Sequence, residues 1–84
     1  MKKYELTRHA EKMMAERELL VEWLERALES PEKVESDAKD PTLEHRLARI
    51  PEFGSRALRV LINKETTPPR VVTAYFDRAL KGKP

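Results

Sequence analysis

The chain has 84 residues, of which 39% are apolar and 38% are charged, and its formal net charge is +2. This length allows one domain with a thin core, so we interpret residues 1–84 as a single α+β domain, as argued below. The absence of cysteine excludes disulfides, thiol nucleophiles and cysteine-ligated zinc, and we predict neither a metal nor a cofactor. No apolar run reaches the roughly 18 residues of a membrane helix, which favours a cytoplasmic protein without membrane contact.

The first element predicted along the chain is helical. Between Thr7 and about Glu29, apolar residues recur at steps of three, four and seven positions, which is typical of an amphipathic helix. Thr7 is a suitable N-cap, and Ser30-Pro31 ends the pattern because a residue before proline avoids helical backbone angles. Nothing between these limits requires a break, so one bent helix and two stacked helices both fit the sequence.

After the helical region, prolines separate short segments that alternate like β-strands. The candidate strands are Lys33 to Asp37, Thr42 to Ile50, Ala57 to Asn63 and Val71 to Asp77. The connections between the later segments are short enough for hairpins, which predicts antiparallel pairing. The sequence therefore predicts an N-terminal helix or helix pair packed on one face of a three- or four-stranded antiparallel sheet.

The alternation also predicts which side chains the helices leave uncovered. The apolar positions that should meet the helices are Leu58, Val60, Ile62, Val72, Ala74 and Phe76. The opposite face should then present Arg59, Thr73 and Tyr75, joined by Arg46 or His45 according to a register that the sequence leaves open. A cation, a hydroxyl and a phenol on one face can bind a phosphate. The alternative is that Arg59 and Tyr75 form a cross-strand pair whose only role is to cover the sheet.

Charge is distributed unevenly between the two halves of the chain. Residues 1–40 carry 8 Lys and Arg against 11 Asp and Glu, a net of −3, whereas residues 41–84 carry 9 against 4, a net of +5. Most of the later cations are arginines, which make planar bidentate contacts with phosphates and carboxylates. This pattern favours a surface in the C-terminal half that contacts a polyanion, and the alternative is a set of solvated charges.

Four segments of the sequence resemble one known family, and they occur in the family's order over nearly the whole chain. They are Thr7-Arg8-His9-Ala10, Glu29-Ser30-Pro31-Glu32-Lys33-Val34, Arg56-Ala57-Leu58-Arg59-Val60-Leu61 and the stretch from Pro69 to Arg78. They resemble the domain-of-unknown-function family 4258, which is similar in fold to RelE-like toxins and barnase-type ribonucleases. The resemblance implies RNA as ligand, with an antitoxin-like protein as partner. One departure is Glu18, which stands where the family pattern has a glycine or similar turn residue after Arg17.

The resemblance directs attention to a set of candidate site residues. The predicted catalytic residues are His9, Arg59 and Tyr75, and the predicted RNA-binding residues are Arg17, Arg46 and Thr73. At the start of a helix His9 would be a neutral base, because the helix dipole disfavours the imidazolium there. Arg59 would hold the phosphate, and Tyr75 would donate a proton or stack on a base. We expect His45 to be a strand surface residue without such a role.

Two functions therefore follow from the sequence. The first is a metal-independent endoribonuclease or toxin-like RNA-binding domain that acts through an arginine-lined sheet face. The second is a non-catalytic binding or regulatory module of the same fold that recognises an acidic partner. The second is favoured by the net charge of only +2 and by the lack of a histidine or glutamate obviously paired with His9.

Overall fold

The computed structural model describes residues 4–78, which form two helices and a five-stranded sheet. In chain order the elements are β1 (Glu5–Leu6), α1 (Arg8–Glu16), α2 (Val21–Glu29), β2 (Lys33–Ser36), β3 (Leu43–Ile50), a 3-10 turn (Pro51–Phe53), β4 (Arg56–Asn63) and β5 (Arg70–Asp77). The strand order is β1-β5-β4-β3-β2, with β2 to β5 joined antiparallel and β1 parallel to β5. No helix in this part of the chain is long and apolar enough to cross a membrane.

The predicted α+β class is confirmed, but the sheet differs from the expected three or four antiparallel strands. A two-residue strand, β1, precedes the helices and makes the sheet mixed. Its backbone is held by bonds from Glu5 N–H to Pro69 O at 2.9 Å and from Thr7 N–H to Val71 O at 3.1 Å. Two residues are too few for a strand periodicity, which is why the pattern of alternation did not reveal β1.

The helical region divides into two helices at Glu18. Thr7 caps α1 as predicted, since its hydroxyl accepts a hydrogen bond from Ala10 N–H at 3.0 Å. The chain then turns at Glu18, whose φ of +53° lies in the left-handed region that favours glycine. This is the position at which the resemblance led us to expect a glycine or similar turn residue. A helix pair, and not one bent helix, therefore precedes the main strands.

The core lies between the helix pair and one face of the sheet. Its buried side chains include Ala10, Met14, Trp23, Leu24, Ala27 and Leu28 from the helices and Ala48, Ile50, Leu58, Val60, Ile62 and Ala74 from the strands. One predicted core position is wrong, because Val71 and not Val72 is buried there. The register passes from Leu61 opposite Thr73 to Ile62 opposite Val71, so a bulge at Val72 reverses the alternation.

Candidate nucleic-acid interface

The sheet face that points away from the helices is called the open face here. Its side chains on β2 to β5 include Lys33, Glu35, His45, Leu47, Arg59, Leu61, Thr73, Tyr75 and Asp77. Arg59 lies directly opposite Leu47 on one side and Tyr75 on the other. Since Leu58 and Val60 lie in the core, alternation turns Arg59 to the opposite face. The structure thus places Arg59, Thr73 and Tyr75 together on the face that the sequence assigned to them.

Arg59 is held by acceptors on three strands and is not a bare cation. Its Nε and Nη2 donate to Asp77 Oδ2 at 2.9 and 2.8 Å, and its Nη1 donates to Glu35 Oε1 at 3.2 Å. Its side chain is only 13% exposed. Burial, which lowers the pKa of Arg59, is outweighed by the hydrogen bonds to these carboxylates, and that pKa is raised. The guanidinium therefore remains charged at the centre of the open face.

His45 completes this network through both of its ring nitrogens. Its Nδ1 lies 2.8 Å from Arg59 Nη1, and its Nε2 lies 2.7 Å from Asp37 Oδ1. A guanidinium has only N–H donors, so Nδ1 is the acceptor of that contact and the proton resides on Nε2. The hydrogen bond from His45, followed by backbone N–H groups of Asp40 and Lys39, lowers the pKa of Asp37. Asp37 thereby orients the imidazole with Nδ1 facing Arg59, and a general base needs a lone pair at such a nitrogen.

The network also covers an apolar side chain on the open face. Leu47 is 0% exposed although it lies outside the core that the helices cover. In the register its neighbours are Lys33 on β2 and Arg59 on β4. Polar side chains therefore occupy the centre of the open face. An anion that binds Arg59 has to replace one of the carboxylates with which Arg59 is paired.

Arg17 and Arg46, the other two predicted arginines, lie outside the Arg59 network. Arg17 donates through Nη1 to Ala74 O at 2.8 Å, at the outer edge of β5. Arg46 lies on the helix-covered face, where its Nη1 donates to Leu28 O at 2.7 Å and its Nε donates to Glu44. A cation is stabilised there because the last carbonyls of α2 lack partners within the helix. Arg17 thus borders the open face, whereas the structure does not bring Arg46 to Arg59.

His9 lies apart from the Arg59 network. It is exposed in the first turn of α1, and α1 packs on the helix-covered side of the sheet. The imidazole that the structure does bring to Arg59 is that of His45, which the sequence offered as the alternative to Arg46 on this face but without a catalytic role. Two signals point to His45 in the sequence: its alternation in β3 with Leu47, and Asp37 eight residues earlier across a hairpin. The sequence could not fix the register that joins them.

The similarity of this chain to known proteins is at the level of a family model. No curated protein and no solved structure matches the chain. A family model with the description "Domain of unknown function (DUF4258)" matches residues 6–76. This range includes both helices and every residue of the open face except Asp77. The chain therefore belongs to the DUF4258 family.

Proposed function

We propose that this protein binds RNA at the open face and cleaves it without a metal, as a toxin-like endoribonuclease with His45 as general base. The observation that carries the proposal is the His45 ring held between Asp37 and Arg59, on a sheet face that α1 and α2 leave uncovered. The likeness of the family to RelE-like toxins and barnase-type ribonucleases is part of the proposal. So are a cytoplasmic setting and an antitoxin-like protein partner.

Phosphate binding requires one exchange at Arg59. Asp77 holds Nε and Nη2, which fixes the orientation of the guanidinium and leaves Nη1 as its exchangeable donor. Glu35 makes the longest of these contacts, at 3.2 Å, and also pairs with Lys33 at 3.4 Å. An RNA phosphate can therefore displace Glu35 from Nη1 while Glu35 keeps a cationic partner. The new contact is a charge-assisted hydrogen bond of the kind that arginine makes well.

Proton transfer follows from the same exchange. When the phosphate draws Nη1 away, the Nδ1 lone pair of His45 becomes available to take the proton of a ribose 2′-OH. The 2′ oxygen then bonds to phosphorus, the bond to the 5′ oxygen breaks, and the phenol of Tyr75 protonates that leaving oxygen. Arg59 stabilises the charge that builds on the phosphate, and Asp37 stabilises the imidazolium. The products are a 2′,3′-cyclic phosphate and a free 5′-hydroxyl.

The test is an RNA cleavage assay in excess chelator with identification of the product ends. We expect cyclic phosphate ends from the native protein and a loss of about 100-fold or more in rate for His45→Gln. His9→Gln is the matched control, since it removes the other imidazole, and its rate should equal that of the native protein. Cleavage that requires added magnesium would contradict the proposal. So would a loss of activity in His9→Gln with full activity in His45→Gln.

The second candidate function is a non-catalytic module that recognises an acidic partner. It is favoured by the fact that both ring nitrogens of His45 and the donors of Arg59 already have partners. This function predicts binding that weakens as salt is raised, with no RNA cleavage under any condition. The chelator assay therefore separates the two functions, because only the first yields new RNA ends.

A further inference from the structure

Two arginines that have no anionic partner among residues 4–78 lie at one end of the sheet. Arg56 begins β4 and Arg78 follows β5, next to the paired residues Ala57 and Asp77. Both arginines are exposed, and within residues 4–78 neither guanidinium makes an ion pair or a hydrogen bond. Neighbouring like charges on paired strands repel each other. Together they form a positively charged position that an anion would stabilise.

The same two arginines line a pocket with an aromatic wall. A depression of about 270 Å³ is bounded by Arg56, Phe76, Asp77 and Arg78. A second depression of about 290 Å³ is bounded by Glu52, Phe53, Gly54 and Arg56. Arg56 thus lies in the wall of both depressions, and each of them also has a phenylalanine in its wall.

The rings behind these spaces form one group in which Phe53 is stacked on Phe76 and Trp23 packs against both rings at steeper angles. Phe53 and Phe76 have ring centroids 4.9 Å apart, and Trp23 lies 5.4 Å from Phe53 and 5.8 Å from Phe76. Phe53 is nevertheless 42% exposed, and the Arg56 guanidinium lies over its ring at 5.1 Å. An exposed phenylalanine beside a guanidinium offers two flat surfaces to a planar ligand.

We propose that Arg56, Arg78 and the Phe53–Phe76 ring pair form a binding site for a nucleotide unit. The two guanidiniums would hold its phosphate, and the base would lie against the rings and the plane of Arg56. These are the side chains on which proteins stack bases and hold phosphates of single-stranded nucleic acids. The site shares no residue with the open face except the wall residue Asp77, so it does not depend on RNA cleavage.

The experiment titrates adenosine 5′-monophosphate and follows the fluorescence of Trp23, which is the only tryptophan of the chain. We expect a saturable change, because the ligand would contact phenylalanine rings that pack against Trp23. The affinity should fall by about tenfold or more in Arg56→Gln/Arg78→Gln, since two charge-assisted contacts are lost. Arg70→Gln is the matched control: it removes an exposed arginine at the other end of β5 and should leave the affinity unchanged.

Further ligands show whether the site binds a nucleotide within an RNA strand or a free nucleotide. A short 2′-O-methyl oligonucleotide, which cannot be cleaved through its 2′ oxygen, should bind more tightly than the monophosphate if the site serves an RNA strand. Tighter binding of the monophosphate would assign the site to a free nucleotide. Inorganic phosphate and adenosine should each bind more weakly than the monophosphate, because each offers half of the contacts.

Three results would overturn this inference. They are the absence of a saturable response to the monophosphate or the oligonucleotide, an equal loss in the Arg70→Gln control, and a loss of binding in His45→Gln. The last result would place the nucleotide on the open face. Thermal melting of the double variant, whose substituted side chains are exposed, checks that it folds, and Arg56→Lys/Arg78→Lys should retain part of the affinity. Failure of RNA cleavage alone would leave the inference standing.

Discussion

On one face of the sheet Leu58 lies under the helix pair, whereas on the other face Lys33 and the Arg59 network neighbour Leu47 and form its polar cover. Both leucines are 0% exposed. The helix cover is apolar, so opening it would expose core surface to water. The polar cover consists of individual hydrogen bonds among Arg59, His45 and their carboxylate partners, and each of these can be exchanged for a bond to a ligand. A ligand can therefore bind at the open face by exchanging hydrogen bonds, without exposing the core that the helices cover.

The largest expected effect compares the two buried leucines. Leu58→Ala should lower the free energy of unfolding by about 3 kcal/mol, because it removes core contacts and leaves a cavity under the helices. Leu47→Ala should lower it by about 2 kcal/mol, because the long side chains of the polar cover can fill part of the space. Urea unfolding of both variants measures this difference. A negligible effect for Leu47→Ala would show that water already reaches this position.

Removal of the central cation should have the next largest effect. Arg59→Ala leaves the carboxylates of Asp77 and Glu35 without their shared partner, so the free energy of unfolding should fall by about 1–2 kcal/mol. This differs from the value near zero that the sequence pattern of an exposed strand arginine predicts. Arg56→Ala is the control and should change stability by no more than about 0.5 kcal/mol. Equal effects in the two variants would mean that the network does not stabilise the fold.

A gain in stability is expected on the helix side at Glu18. The φ of +53° is unfavourable for a residue with a Cβ atom, so Glu18→Gly should raise the free energy of unfolding by about 0.5–1 kcal/mol. The matched control is Ala15→Gly, within α1, which should lower it by about 1 kcal/mol. Denaturant midpoints of the two variants should therefore move in opposite directions. A loss of stability in Glu18→Gly would contradict this account of the helix break.

Acid should weaken both faces through individual carboxyl groups. Arg59 lowers the pKa of Glu35 below 4.5 on the open face, and Arg26 lowers that of Glu52 to about 2 on the helix side. A carboxyl with a depressed pKa in the folded state stabilises the fold above its unfolded pKa, and this contribution is lost as the pH falls through the folded value. The thermal unfolding midpoint, Tm, should therefore fall as the pH is lowered from about 4.5 towards 2. This fall should be smaller in Glu52→Gln, which lacks one of the two carboxyl groups. A constant midpoint over this range would refute the prediction.

Much of this architecture was predictable from periodicity, and the rest depends on contacts between distant residues. The alternation of β4 placed Leu58 in the core and Arg59 opposite it, and the β5 pattern held from Thr73 onward. It failed at Val72, because a bulge inserts one residue into the strand and no side-chain pattern marks it. The pairing of β2 with β3, which sets His45 against Glu35 and near Asp37, depends on register that no single strand encodes.

The most direct test of the open face as a binding site is the RNA affinity of Glu35→Gln, measured at fixed moderate salt. Removal of the exchangeable carboxylate should tighten binding by about threefold, whereas Arg59→Gln should weaken it by about tenfold or more. Glu11→Gln makes the same charge change on α1 and should have a smaller effect than Glu35→Gln. If Glu35→Gln binds RNA no more tightly than Glu11→Gln, Arg59 does not receive a phosphate and the proposed site is wrong.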